Sequence, residues 1–429
     1  MQDQENNEKK IEVLFSSIEQ LGHFKPLVPF MEELKDRGHK VTVFVSSDPK
    51  YRNAIENEGV NDVNIVETKV GSSIQVSTGP FSKFSGGLYP AIMSYYQDKK
   101  KPDVIVYDLF ASAMADVADK MKIPAISVCM IPLCLHNKPP KASRNAVQNF
   151  SLSLRNTFGA TLTYSMMRVF RNNERKERNL PKLKFQDIMP DPNQERHVIC
   201  TTADGFEFIE ERSPLLQLVG PSQPSSPAPL GSDLSEWLNT QTKPIVYVAF
   251  GTLHRFNKKS LGKLATQLKS VSESFSVLWS LPVDQQRLLE KDKLPTNWKV
   301  EKFVPQWSVL EHPNVKLFVS HCGSGSTSES LLNEVPIIGC PCGTDQFANA
   351  TRIKVAGVGV EVYNGASGNV ADAIVEVHNN LARYENSTRK VKMMFSKAGG
   401  AKKATDIIEI VADRGYEKLG EVKPIKFDK

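Results

Sequence analysis

No apolar run in this chain is long enough to cross a bilayer. The longest, Ala125 to Leu135, has 11 residues and is interrupted by Pro132, against the roughly 20 that a membrane helix needs. The start, Met1 to Lys10, is polar and charged, so it offers no secretory signal. A large charge excess is also missing: 54 Lys and Arg face 48 Asp and Glu, for a net +6. That suits anionic ligands but lacks the clustered basicity of a nucleic-acid binder. Cysteines number six and include no Cys-x-x-Cys pair. Cys340 and Cys342 have poor spacing for a metal site, and reduced, buried thiols in a cytoplasmic protein are expected. There is no internal repeat and no long low-complexity tract. These absences leave a soluble globular protein, which is expected to be a monomer.

At 429 residues the chain has room for two domains of about 200 each. Its 40% hydrophobic and 24% charged residues are those of a globular protein. The pattern predicts a strand at Ile11 to Phe15, an amphipathic helix from Pro26 to Arg37, and a stop at Gly38-His39 before the strand Lys40 to Val45. Further strands are expected at Val104 to Tyr107, Ala125 to Cys129 and His197 to Thr201, which makes an open parallel sheet. Residues 221–232, rich in Pro and Ser, read as a linker. A second alternation follows, with strands at Pro244 to Phe250, Val277 to Ser280, Lys299 to Phe303, Lys316 to Ser320 and Pro336 to Cys340. Residues 371–414 are helical in pattern, with a boundary at Ala398 to Lys403. The expectation is an α/β protein of two Rossmann-like, doubly wound domains, 1–220 and 233–410, facing each other across a cleft.

Chemistry concentrates in 303–346. After the strand ending at Ser320, His321 to Gly325 is a turn of small residues, and Ser326 with Glu329 gives a Ser-x-x-Glu helix start. Free N–H groups and the positive end of the helix dipole then make an anion site, where Gly323 and Gly325 allow close approach and His321, Ser324 and Ser326 add donors. No Lys follows the glycines, which excludes a Walker loop. Gly251-Thr252, after an apolar strand, is a second turn able to meet phosphate. His23 sits in a loop, Leu21 to Pro26, beyond the first strand, and Asp108 ends the strand at 104–108, both at a sheet's carboxyl edge where ligands bind. Plainer roles remain open for each residue: a solvated His23, an Asp108 that starts a helix, a Glu329 that completes a capping box, an Asp345 that caps the helix to Ala356, a Phe303 in the core.

The order Pro-Gln, Leu-x-His-Pro, His-Cys-Gly, Ser-x-x-Glu, Val-Pro and Asp-Gln within 303–346 resembles the nucleotide-sugar signature of UDP-dependent glycosyltransferases acting on small molecules, in their plant and fungal soluble branch. The resemblance implies the GT-B fold, with residues 411–429 packing back toward the first domain. It places Phe303 under the uracil, Gln306 near base and ribose, and His321, Gly323, Ser324 and Ser326 around the diphosphate, joined by Thr252. It assigns the ribose hydroxyls to Glu329 and the sugar hydroxyls to Asp345 and Gln346, with Gln346 suggesting glucose. His23 becomes the general base and Asp108 its partner. The sequence departs from the family at Phe303 (usually Trp), at Ser324-Gly325 (usually Trp-Asn) and at Glu334 (usually Gly). Gly325 removes a side-chain donor near phosphate or sugar.

An inverting transfer from a UDP-sugar to a hydroxyl of a hydrophobic acceptor follows, with no cofactor and no metal, since no Asp-x-Asp pattern is present to hold a metal-bound diphosphate. A UDP-sugar epimerase and a noncatalytic UDP-sugar-binding protein are the alternatives. Phe81, Phe84, Tyr89, Tyr95, Tyr96, Met130 and Leu133 are candidates either for an acceptor pocket or for ordinary core. The Arg- and Lys-rich stretch 168–184 is expected to be a solvated helix face.

Overall fold

Short strands rich in Val, Ile and Leu, buried on both faces, form two parallel sheets with helices packed between and around them. The structure, a computed structural model, describes residues 9–56, 60, 62–68, 87–129, 168–169, 171–183, 196–207, 211–212, 214–251, 254–289, 294–343, 345–363, 365–415 and 425–426. The first sheet contains β1 (Glu12–Ser16), β2 (Lys40–Ser46), β3 (Asn64–Thr68), β4 (Val104–Asp108), β5 (Ala125–Cys129) and β6 (His197–Cys200). Beyond β7 (Glu211–Arg212), which stands outside it, β8 (Leu216–Leu218) completes the order β3-β2-β1-β4-β5-β6-β8. The second sheet contains β9 (Ile245–Ala249), β10 (Ser276–Ser280), β11 (Trp298–Glu301), β12 (Val315–Ser320), β13 (Ile337–Gly339) and β14 (Gly359–Glu361), in the order β11-β10-β9-β12-β13-β14.

Each order reverses once. In the first sheet the chain winds outward from β1 through β2 to β3, then returns to the other side of β1 as β4. In the second it does the same from β9, returning as β12. These reversals leave a crevice beyond the carboxyl ends of β1 and β4, and of β9 and β12, where crossing helices diverge. Alternate residues of each strand feed different cores. Val13, Phe15, Val104 and Val106 meet Phe30, Met31 and Leu34 on one face, while Leu14 and Ile105 meet Met114 and Val117 on the other.

The two halves are also tied together. Gly399, at φ +103, breaks the path between the helices Leu381–Lys397 and Gly400–Arg414; a Cβ there would lie 2.7 Å from Lys403 Cβ. The second of these helices lays Ala404, Ile408, Val411 and Ala412 into the first sheet's core. Arg37 clasps it through Asp406 at 2.7 Å and Glu409 at 3.0 Å. Further along, β15 (Ile425–Lys426) pairs antiparallel with β7. Where the halves abut, Glu207 and Arg352 form an ion pair at 2.6 Å with both side chains 1% exposed, beside Phe206 packed edge-on against Phe395.

The expectation of a solvated face at 168–184 holds for Lys176, Glu177 and Lys182, which are exposed, and fails for the arginines. Arg171, Arg175 and Arg178 converge on the fully buried Asp116, and Arg175 and Arg196 both reach Asp119. These three arginines lie on the inward side of their segment, because two carboxylates from the helix Ala113–Met121 wait there, while Lys176, Glu177 and Lys182 stay exposed. Lys184 lies outside the described residues.

Candidate active site

His23 and Asp108 come together at the first reversal. His23 is not in a loop: residues Leu21–Phe24 make a helical turn, closed by His23 and Phe24 N–H groups on the Gln20 carbonyl and anchored by the buried Phe24 against Tyr51. The turn presents the imidazole to Asp108, whose carboxylate ends β4. His23 Nδ1 lies 3.0 Å from Asp108 Oδ1. Asp108 accepts, so Nδ1 carries the proton and Nε2 is left as the basic nitrogen. Burial works to lower the pKa of His23, but the hydrogen bond and charge of Asp108, helped by Asp345, outweigh it and raise the net value. Full burial pushes the Asp108 carboxyl up, opposed by His23 and by the backbone N–H groups of Ile18 and Phe110. Phe110, which sequence reasoning passed over, sets its ring edge-on to His23 at 5.3 Å and 85°.

The second reversal carries the glycine turns. Gly251 follows β9 at φ +71, and a Cβ there would sit 2.8 Å from His321 Nε2; one on Gly323 would sit 2.5 Å away. The His321 ring therefore occupies the space between two glycines, and any side chain at either position would displace it. Burial drops its pKa to about 4, with Asp345 partly offsetting and His254 adding to the fall. The imidazole is neutral near pH 7. Thr252 lies outside the described residues.

The helix after His321 starts earlier than expected. It spans Ser324–Leu332 with Gly323 at its N-cap, because Cys322 at φ +65 turns the chain sharply and Thr327 N–H bonds back to the Gly323 carbonyl at 2.9 Å. Ser326 is thus inside the first turn, and no capping box forms. Ser326 and Glu329 instead share Gln306, whose Nε2 donates to Ser326 Oγ at 3.2 Å and to Glu329 Oε2 at 2.8 Å. Tyr247, stacked on Phe318, donates to Gln306 Oε1. Burial raises the pKa of Glu329, while Gln306 and the charge of Lys25 pull it down. Lys25 belongs to the same stretch as His23, so the two halves feel each other here. Gly325 is open: nothing lies within 4 Å of a Cβ built on it.

Phe303 stands beyond the end of β11 rather than in it and is 71% exposed, which removes the core reading and leaves a free aromatic face. Asp345 stands at the N-cap of the helix Gln346–Val355, its carbonyl accepting the Asn349 N–H at 3.0 Å, but its side chain makes no cap bond. Its Oδ2 accepts from Ser324 Oγ and Asn349 Nδ2, each at 3.2 Å. Asn349 also donates to the Cys322 carbonyl at 2.8 Å. This buried amide was missed in the sequence, although Asp345-x-x-x-Asn349 is helical spacing. Gln346 Oε1 accepts the Cys342 and Gly343 N–H groups, which fixes its amide beside Asp345. Among the described residues no cluster of three or more His, Cys, Asp or Glu side chains is placed to hold a metal ion, and no helix is long and apolar enough to cross a membrane.

Of the acceptor-pocket candidates, Tyr96 is core and donates to Glu12, Tyr95 accepts from Asn64 Nδ2 at 2.8 Å and packs on Phe44, and Tyr89 lies under the Arg178 guanidinium. Phe81, Phe84, Met130 and Leu133 lie outside the described residues.

A family model described as UDP-glucoronosyl and UDP-glucosyl transferase matches residues 162–396, more than half of the chain. UDP-glycosyltransferase 75C1 of Solanum lycopersicum is 28% identical over 397 residues, covering 80% of this chain and 83% of that protein. Among solved structures, the glycotransferase of kitacinnamycin superposes with a TM-score of 0.72 at 18% identity, over 94% of this chain and all of that one. UDP-glucose: anthocyanidin 3-O-glucosyltransferase in complex with UDP gives 0.66 at 19% identity, over 95% and 100%. Both are likenesses of fold, two parallel sheets with interleaved helices.

Proposed function

Because the chain belongs to the UDP-glucoronosyl and UDP-glucosyl transferase family, and so is a glycosyltransferase, we propose that it transfers glucose from UDP-glucose, with inversion, to a hydroxyl of a small hydrophobic acceptor such as a phenol, flavonoid or sterol. The observation that carries this reading is the His23–Asp108 pair at 3.0 Å, close enough to the other half for Asp345 to influence its charge.

His23 Nε2 takes the acceptor's hydroxyl proton as the oxygen attacks the anomeric carbon; the new C–O bond forms as the bond from that carbon to the diphosphate oxygen breaks. Asp108 holds the tautomer and stabilises the imidazolium. The first turn of Ser324–Leu332, with the neutral His321 and Ser326, receives the charge growing on the departing diphosphate through N–H donors and the helix dipole. Phe303 stacks on the uracil, Glu329 with Gln306 holds the ribose, and Asp345 and Gln346 hold the sugar hydroxyls. In this reading no metal is required.

The test is incubation with UDP-glucose and a panel of phenols, flavonoids and sterols, following UDP release and glycoside mass. Glucosides should form in the presence of chelator, and His23→Ala should lower kcat by about 10²–10⁴. Strict dependence on Mg²⁺ or Mn²⁺, or undiminished turnover by His23→Ala, would defeat the mechanism. Conversion of UDP-glucose without an acceptor would point to epimerisation instead.

A further inference from the structure

Asp108 fixes only one side of the His23 imidazole. A single hydrogen bond to Nδ1 leaves the ring free to swing about that bond, and its side chain is still 20% exposed. Against the imidazole stands Phe110, whose ring meets it edge-on at 5.3 Å. Its backbone is held as firmly as that of Asp108. The Phe110 N–H is bonded to the Asp108 carboxyl, the Ala111 N–H closes a tight turn on the Asp108 carbonyl at 2.7 Å, and Ala111 is fully buried. One residue further on, Arg171 donates to the Ser112 carbonyl at 2.8 Å while paired with the buried Asp116. The buried arginine cluster thus braces the turn that aims Phe110.

We propose that Phe110 is a positioning residue for the base: its ring, mounted on the same turn as Asp108, walls the imidazole so that Nε2 keeps one direction through the reaction. This rests on His23 acting as the base. A base that wanders by an ångström loses rate without losing substrate, because a positioned group acts through orientation rather than binding. The effect should therefore appear in kcat and not in the KM for UDP-glucose.

The experiment compares Phe110→Ala and Phe110→Leu in the full chain, each also in the His23→Ala background. Phe110→Ala should lower kcat about tenfold, the scale of one lost aromatic contact, with the KM for UDP-glucose held within about twofold, and Phe110→Leu, which keeps the apolar bulk, should recover most of the rate. With His23 already replaced, Phe110→Ala should have no further effect. An unchanged kcat, or an equal loss in the His23→Ala background, overturns the proposal. A second readout does not depend on turnover. The His23 Nδ1 proton, held by Asp108, should give a protected downfield NMR signal in the parent and in Phe110→Leu and lose it to exchange in Phe110→Ala. A parent without transferase activity that shows this pattern would sink the base assignment while leaving the positioning intact; a signal equally protected in Phe110→Ala would sink the positioning itself.

Discussion

Replacing Arg352 by Met should destabilise the chain by several kcal/mol, and the loss should depend on pH in a way that identifies its cause. Glu207 sits in the first half and Arg352 in the helix Gln346–Val355 of the second, both 1% exposed. Arg352 Nε and Nη2 both donate to Glu207 Oε2, at 2.9 and 2.6 Å, and Thr202 donates to Oε1 at 3.0 Å. With the guanidinium gone, Glu207 is a buried carboxylate whose charge has lost its partner, a change that typically costs about 3–5 kcal/mol. The carboxylate can escape by taking a proton. For an ordinary glutamate of pKa about 4.3, that costs about 3.7 kcal/mol at pH 7 and about 1 kcal/mol at pH 5, at about 1.4 kcal/mol per unit. The penalty is thus capped near 4 kcal/mol at neutral pH and shrinks as pH falls. Adding Glu207→Gln, which keeps an acceptor for Thr202 without the charge, should remove most of the defect and all of its pH dependence. Denaturant unfolding of the parent, the single variant and the double variant at pH 5, 6 and 7, followed by fluorescence, measures this; two halves call for checking that all probes move together. A loss under about 1 kcal/mol at pH 7, or one that does not change between pH 7 and 5, would refute the reasoning.

Asp108→Asn should lower kcat by about 10²–10⁴ and shift the acidic limb of the pH–rate profile to lower pH. Activity of the parent is lost as pH falls through the raised pKa of His23, and without the Asp108 charge burial, opposed only by the more distant Asp345, lowers that pKa; a limb that stays in place would contradict the pairing. Binding of UDP, measured by calorimetry, should weaken on acidification at a pH above the ordinary glutamate range, because burial raises the pKa of Glu329 and protonation removes its acceptors. Lys25→Ala should move that loss to still higher pH, since the lysine charge opposes the shift; movement the other way would refute it. Glu334→Gly should stabilise the protein by about 1 kcal/mol in molar salt, relieving a non-glycine residue at φ +61, and be near neutral at low salt, where the partly exposed contacts to Lys392 and Arg389 still act. Thermal melts at the two ionic strengths decide it.

Much of the fold was legible because parallel strands buried on both faces leave runs such as Ile245–Ala249 that have few other readings. The sequence order of the strands also fixed which ends would meet, and with them His23, Asp108 and the turn at His321. What escaped was whatever depends on a partner far away in the chain. The arginines at 171, 175 and 178 look like a solvated face until Asp116, more than fifty positions earlier, is known to lie beneath them. Ser326 with Glu329 has the spacing of a capping box, but Gln306 captures both side chains and Cys322, in a left-handed conformation that no local pattern announces, starts the helix two residues sooner.

The departures of this chain from its family bear on the same point. The sequence takes an amide away at Gly325, which suggests a donor site short of one hydrogen-bonding group. The structure places another amide nearby: Asn349, 2% exposed, binds Ser324 and Asp345 together from the next helix. Ser324 is small enough to accept that approach, and its own hydroxyl completes the triangle with Asp345. In this chain an amide borne by the helix Gln346–Val355 orients the Asp345 carboxylate, while the open side of Gly325 leaves room beside the first turn for an anionic ligand. Asn349→Ala should loosen Asp345 and weaken discrimination between UDP-glucose and UDP-galactose while leaving affinity for UDP itself within about twofold, a change on the scale of one surface contact. Equal losses of UDP and UDP-glucose affinity would mean that Asn349 supports the helix start rather than the sugar.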